Sequence, residues 1–297
     1  MGILTVYLLV IITTVFWGAN FVLAGPILAD LPPLWAAAFR FVLAAALMFV
    51  IAGVRRDELF SLLRRNVWAY ILLGTVGIGA FNLFFFSAMQ STSASNAALI
   101  MGINPLLTAL LAAVIVGERP TARHLLALPI ALLGVVVVIS HGDIGTLTSF
   151  GFTHGDLLML GATVSWALYT VFFRRYMGQG SPIANTSWVM AVGAIVLLPV
   201  AIGSDSHVHT LGLNASIAMA TLVVGGTVLA FLFWGIGIAR LGATRTALFL
   251  NLVPVFTMLI GAVLGTVPSA AQLVGGVLVL GGVTISMLPQ QRPVTAN

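Results

Sequence analysis

The chain has 297 residues, 60% of them hydrophobic and only 6% charged, and it contains no cysteine. A soluble domain carries roughly 25% charged residues to face water, so composition excludes one, and the missing thiols exclude disulfides, thiolate nucleophiles and Cys-ligated metals. The net charge of +5 comes from twelve arginines against seven acids, but the arginines stand singly or in pairs between apolar runs, without the stripe of a nucleic-acid-binding face.

A helix needs about 20 apolar residues to cross the hydrocarbon core of a bilayer. Ten stretches qualify in chain order: 3–24, 34–53, 68–88, 95–116, 123–140, 154–173, 183–202, 215–238, 246–265 and 270–288. The first lacks a basic leader and is longer than a signal-peptide core, so it reads as a retained span. Alternate links carry the arginines: Arg55, Arg56, Arg64 and Arg65 after span two, Arg119 and Arg123 after span four, and Arg174 and Arg175 after span six. Arg240 and Arg245 follow span eight, and Arg292 lies in the tail. The opposite links hold Asp30, Asp143 and Asp205 but no arginine. This bias predicts a multi-pass membrane protein with both termini cytoplasmic.

The chain also repeats itself. A shift of 149 residues lays Trp17 on Trp166, Val22 on Val171 and Pro33 on Pro182. The same shift pairs Ala98 with Ala247, Leu99 with Leu248, Pro105 with Pro254 and Thr108 with Thr257. One slipped residue later, Gly117 meets Gly265 and Gly134 meets Gly282. Spans one to five therefore equal spans six to ten, which predicts a five-helix repeat over 1–142, a second over 150–289, and a cytoplasmic tail at 290–297. An odd number of crossings forces the second copy to enter from the opposite face, so the expected fold is an all-α membrane protein of two inverted repeats. Transporters built this way bind substrate near the midplane, where the halves meet.

Trp17-Gly18-Ala19-Asn20-Phe21 with its echo Ser165-Trp166-Ala167-Leu168-Tyr169, Phe39-Arg40-Phe41, Asn104-Pro105 and Gly117-Glu118-Arg119-Pro120 resemble the drug/metabolite transporter superfamily and its EamA branch. Within that branch the chain is similar to bacterial exporters of aromatic amino acids, the YddG type. The resemblance implies export of small metabolites, amino acids foremost, without a cofactor. The second repeat departs from it: Gly265-Thr266-Val267-Pro268 lacks the acid–base pair, so any role of Glu118 and Arg119 belongs to one half.

Polar and aromatic groups inside spans either pack helices or line a pathway. Trp17 and Asn20 share one face of span one, and their mates Trp166 and Tyr169 answer from span six. Trp17, Asn20 and Trp166 lie in the middle to outer-middle of their spans, which favours lining over an interfacial belt. Phe81 and Asn82 in span three, Met101 and Asn104 in span four, and Trp234 in span eight complete the candidate substrate-binding set. Arg40 lies seven residues past Pro33, about 10 Å into its helix at 1.5 Å per residue. It either snorkels towards Asp30, Asp143 or Asp156, or binds a substrate carboxylate or latches an outer gate. Pro105 and Pro254 are candidate hinges, because each removes a backbone donor. Gly261 and Gly265 have a small-xxx-small spacing suited to packing. His207 and His209 lack further ligands, and no metal is expected.

No acid falls at mid-span, which favours uncoupled facilitation over proton exchange. A sugar-phosphate carrier would need converging basic groups, and only Arg40 is at depth. Every histidine lies near a span end or in a link, leaving no nucleophile–base pair for an enzyme. The expected partners are a small-molecule substrate and the lipid bilayer. Oligomeric state is not readable, and a monomer is compatible with the repeat plan.

Overall fold

Backbone amides cannot be left unpaired in hydrocarbon, so apolar runs of this length fold as helices. A computed structural model of the chain describes residues 1–92, 94–140, 142, 143, 145, 153–177, 180–204 and 210–288. Asp205, His207, His209, Arg292, the tail 290–297 and the side chain of Asn96 lie outside the described residues. Among the described residues ten helices are long and apolar enough to cross a membrane. They are α1 (Ile3–Asp30), α2 (Pro33–Val54), α3 (Leu59–Ala88), α4 (Ala97–Ile115) and α5 (Ala122–Ser140). The second half supplies α6 (His154–Tyr176), α7 (Pro182–Ile202), α8 (Leu213–Leu241), α9 (Ala243–Val263) and α10 (Ala270–Met287).

Two helices outrun their apolar runs. α1 continues through Pro26 to Asp30. α3 begins at Leu59, nine residues before the expected 68, and takes Arg64 and Arg65 into its first turns before bending at Asn66. Residues 59–67 mix leucines with polar residues, so no apolar run marks them. Tertiary contacts hold them instead: Leu62 is buried, and the Leu59 carbonyl accepts the Trp188 indole N–H at 3.0 Å.

Capping boxes start α6 (Thr153 with Asp156) and α10 (Ser269 with Gln272). The repeat mates Gly117 (φ 71°) and Gly265 (φ 98°) follow the ends of α4 and α9 in the left-handed conformation that favours glycine. Gly265 therefore terminates a helix rather than packing one: nothing stands within 4 Å of a Cβ built there, and Gly261 meets only Thr266 at 3.8 Å. The small-xxx-small expectation fails for that reason.

The halves interlock in exchanged pairs. α1 packs on α8 and α9, and its counterpart α6 packs on α3 and α4; α2 packs on α7, and α5 on α10. Small residues allow the close approach. A Cβ on Gly134 of α5 would stand 2.6 Å from the Gly275 carbonyl oxygen, and one on Gly282 would stand 2.8 Å from that of Ala127. Outward faces carry Val114, Leu125, Val263 and Val277 in exposed positions. An apolar exterior of this kind would associate in water; in this multi-pass membrane protein it faces lipid.

Helical regularity breaks at matching places. α3 contains a π-helical segment, Gly74–Ala80, and α8 contains its counterpart, Leu222–Leu229. α4 is interrupted at Ile103 before Asn104-Pro105, and α9 passes through a 3-10 turn, Phe249–Asn251, before Pro254. Both interruptions lie just N-terminal to the proline, whose ring disfavours helix in the residue before it and removes one amide donor.

Candidate functional site

The first spans of the two halves meet through their tryptophans. Trp17 of α1 and Trp166 of α6 stand edge to face with ring centroids 5.3 Å apart. Trp234 of α8 lies 5.0 Å from Trp17 and 6.3 Å from Trp166. Tyr169 at 5.0 Å and Phe81 at 5.4 Å close the group around Trp166. Phe231, the repeat mate of Asn82, sits among them, 5.6 Å from Trp166 and 6.2 Å from Trp17. Five of the sequence-derived candidates thus form one aromatic cluster fed by both halves.

The π-helical segments make room for it. A Cβ on Gly77 would lie 2.2 Å from the Tyr169 ring, and one on its mate Gly226 would lie 2.1 Å from Asn20 Oδ1. Each segment thus presents a bare backbone to the first span of the other half. The polar chemistry is not symmetric. Trp17 donates its indole N–H to the Gly226 carbonyl at 3.1 Å, whereas the indole nitrogens of Trp166 and Trp234 are buried without a partner. Asn20 Oδ1 is likewise buried and unpartnered. An unmet buried polar group costs about 1–3 kcal/mol, so the two indole donors of the cluster and the Asn20 acceptor beside Gly226 are groups that the protein itself leaves unsatisfied.

Asn82, Met101 and Asn104 are engaged in helix packing. Asn82 donates to the Ile78 carbonyl of its own helix at 2.7 Å. Asn104 donates to the Thr163 carbonyl at 2.8 Å and accepts from the Thr108 hydroxyl at 3.1 Å. Met101 Sδ accepts from the Thr163 hydroxyl at 3.2 Å. These bonds tie α4 to α6 or lie within α3.

Arg40 does not pair with the acids that sequence offered it. Its guanidinium carbon lies 4.5 Å from the Phe41 ring centroid, and its Nε is buried without a partner. Asp30 accepts from the Gly212 N–H at 2.8 Å, Asp143 from the Gly145 N–H at 2.8 Å, and Asp156 from the Thr153 N–H at 2.7 Å.

At the end of the bundle that carries the arginine links, Glu118, just after α4, bonds to α6 and α9. Its carboxylate accepts from Arg174 Nε at 3.0 Å and from the N–H groups of Ala243 (3.1 Å) and Thr244 (3.2 Å), capping α9. Arg174 also donates to the Ala239 carbonyl at 2.8 Å, and Arg175 to that of Ile115 at 2.5 Å. The ends of α4, α6, α8 and α9 are thereby tied, beside a cleft of about 390 Å³ lined by Ile115, Val116, Glu118, Arg174 and Arg175. The repeat mate of Glu118 is uncharged, yet its partner comes from the other half.

The EamA-like transporter family matches residues 4–140 and again residues 153–288. The chain belongs to this family. YyaM of Bacillus subtilis (strain 168), described as an uncharacterized transporter, is 39% identical over 94% of this chain and 92% of its own length. A "Probable amino-acid metabolite efflux pump" of Salmonella typhimurium (strain LT2) is 28% identical over 94% and 93% of the two chains. The aromatic amino acid exporter YddG of Ancylobacter novellus is 26% identical over 94% and 96%. One crystal structure superimposes with a TM-score of 0.82 at 24% identity, covering 96% of this chain and 97% of the other, and supports the fold.

In this EamA-like transporter, two features of the site escaped sequence reading. The π-helical cradles at Gly77 and Gly226 have a faint signal, the glycines at 74, 77 and 79 and at 225 and 226. The bond from Glu118 to Arg174 has none, because the partners are 56 residues apart and belong to different halves.

Proposed function

We propose that this EamA-like transporter exports small metabolites, amino acids including aromatic ones, by alternating access between two inverted five-helix halves spanning 1–142 and 150–289. The carrying observation is the aromatic cluster: Trp17, Trp166, Tyr169 and Trp234 meet from both halves, and two of their indole donors have no protein acceptor. Flat rings take an apolar or aromatic side chain, and free N–H groups take the polar atoms next to it. The names of YddG and the efflux pump agree with that chemistry. The arginine-rich links face the cytoplasm of a plasma (inner) membrane, so the bonds of Glu118 close the inner side in this conformation, and the breaks before Pro105 and Pro254 are where α4 and α9 bend. No carboxylate lies at mid-span, which supports facilitated export without proton coupling.

Counterflow in proteoliposomes tests this reading. Preloaded phenylalanine is expected to drive uptake of labelled phenylalanine, with other aromatic amino acids competing and an imposed pH gradient making no difference. Failure of every amino acid to exchange contradicts the substrate class, and a steady response to the pH gradient contradicts uncoupled facilitation.

A further inference from the structure

Arg40 carries a fixed positive charge at depth in α2, and its Nε is buried with no hydrogen-bond partner. Among the described residues no carboxylate pairs with it. The described outer acids are held elsewhere, Asp30 by Gly212, Asp143 by Gly145 and Asp156 by Thr153 and Thr92. The residue as a whole is part-buried, with Nε the enclosed nitrogen, and an intramembrane ionisable group marks a ligand path or a pairing site. The position is asymmetric as well, because the repeat mate of Arg40 is Val189.

A chain of rings leads from this charge to the aromatic cluster. The guanidinium sits 4.5 Å from the Phe41 centroid, Phe41 lies 5.7 Å from Phe231, and Phe231 lies 5.6 Å from Trp166. The stacking on Phe41 orients the guanidinium without neutralising it. We infer that Arg40 is the anion-binding end of the transport site and takes the carboxylate of the substrate, while the aromatic rings take its apolar body. This rests on the reading of the cluster as the transport site and narrows the substrates to apolar monocarboxylates. Amides and amines lack the anion, and a phosphate dianion would need a second cation that α2 does not offer.

The test is competition against labelled phenylalanine counterflow in proteoliposomes, with phenylpropionate, phenylalaninamide and phenethylamine as probes. In the wild type phenylpropionate is expected to compete, and the amide and amine to be weaker than phenylalanine by about tenfold to hundredfold, the range of a charge-assisted hydrogen bond. Arg40→Gln is expected to bring phenylalanine down to the level of the amide while leaving the amide unchanged; Arg40→Lys restores part of the difference. A purely structural role would weaken all probes alike. Equal competition by amide, amine and phenylalanine in the wild type overturns the proposal. Thermal-shift titration of the purified protein with the same probes separates the two readings. Carboxylate-selective stabilisation that Arg40→Gln abolishes, without counterflow, upholds the anion site and removes the transport reading. Equal shifts with all probes, or none, remove the anion site.

Discussion

Trp17 donates its indole N–H to the Gly226 carbonyl at 3.1 Å, while its repeat mate Trp166 buries the same group unpartnered. One residue type, at equivalent positions of two matching halves, is satisfied once and left open once. The scaffold is shared between halves and the polar chemistry is not. This difference predicts opposite outcomes for the same substitution. Trp166→Phe removes a buried donor that the protein does not satisfy, so it is expected to stabilise the purified protein by about 1 kcal/mol and raise its melting temperature. Substrate affinity should fall at the same time. Trp17→Phe breaks a bond already made and is expected to destabilise by a similar amount. Differential scanning fluorimetry beside counterflow checks the pair; destabilisation by both contradicts the assignment of the open donor.

The π-helical cradles predict a steric requirement. Gly77→Ala and Gly226→Ala each place a Cβ near 2 Å from a neighbour, against the Tyr169 ring at 2.2 Å and Asn20 Oδ1 at 2.1 Å. Overpacking of this kind costs about 1–3 kcal/mol, so both variants should lose stability and transport. Gly53, with nothing within 4 Å of an added Cβ, is the control, and Gly53→Ala should leave melting and transport unchanged.

Much of this architecture is written in residue order. Ten spans follow from apolar runs because hydrocarbon enforces helices, and the repeat is legible in Trp17 and Trp166 because a shared backbone preserves spacing. Five of the nine candidate site residues, Trp17, Phe81, Trp166, Tyr169 and Trp234, come together in the cluster. The rest was hidden for identifiable reasons. Asn82 and Asn104 are polar at depth, but a carbonyl one turn away or on the next helix satisfies each, and no spacing rule distinguishes that from a ligand contact. The early start of α3 and the bond between Glu118 and Arg174 depend on tertiary partners alone.

The capping of α9 by Glu118 predicts a gate. Glu118→Gln removes the charge that faces Arg174 and weakens the cap on Ala243 and Thr244, contacts of the kind worth about 1 kcal/mol together. The inner side should open about fivefold more often. The chain has no native cysteine, so one cysteine at the buried Ala247 reports directly: maleimide labelling in Glu118→Gln should quicken. An unchanged rate contradicts the gate.

The breaks before Pro105 and Pro254 predict hinges. Pro105→Ala restores a backbone donor and relieves the constraint on Asn104, so α4 should become more regular and the protein no less stable. Turnover should fall while substrate affinity holds. Unchanged turnover contradicts a hinge at that position.

The most direct measurement is phenylalanine counterflow in proteoliposomes, comparing the wild type with a Trp166→Phe/Trp234→Phe double variant whose folding is verified by its melting curve. The expected result is saturable exchange in the wild type, with affinity reduced about tenfold or more in the double variant, as two lost hydrogen bonds to substrate require. Exchange of equal affinity in both proteins would contradict the placement of the transport site between these rings.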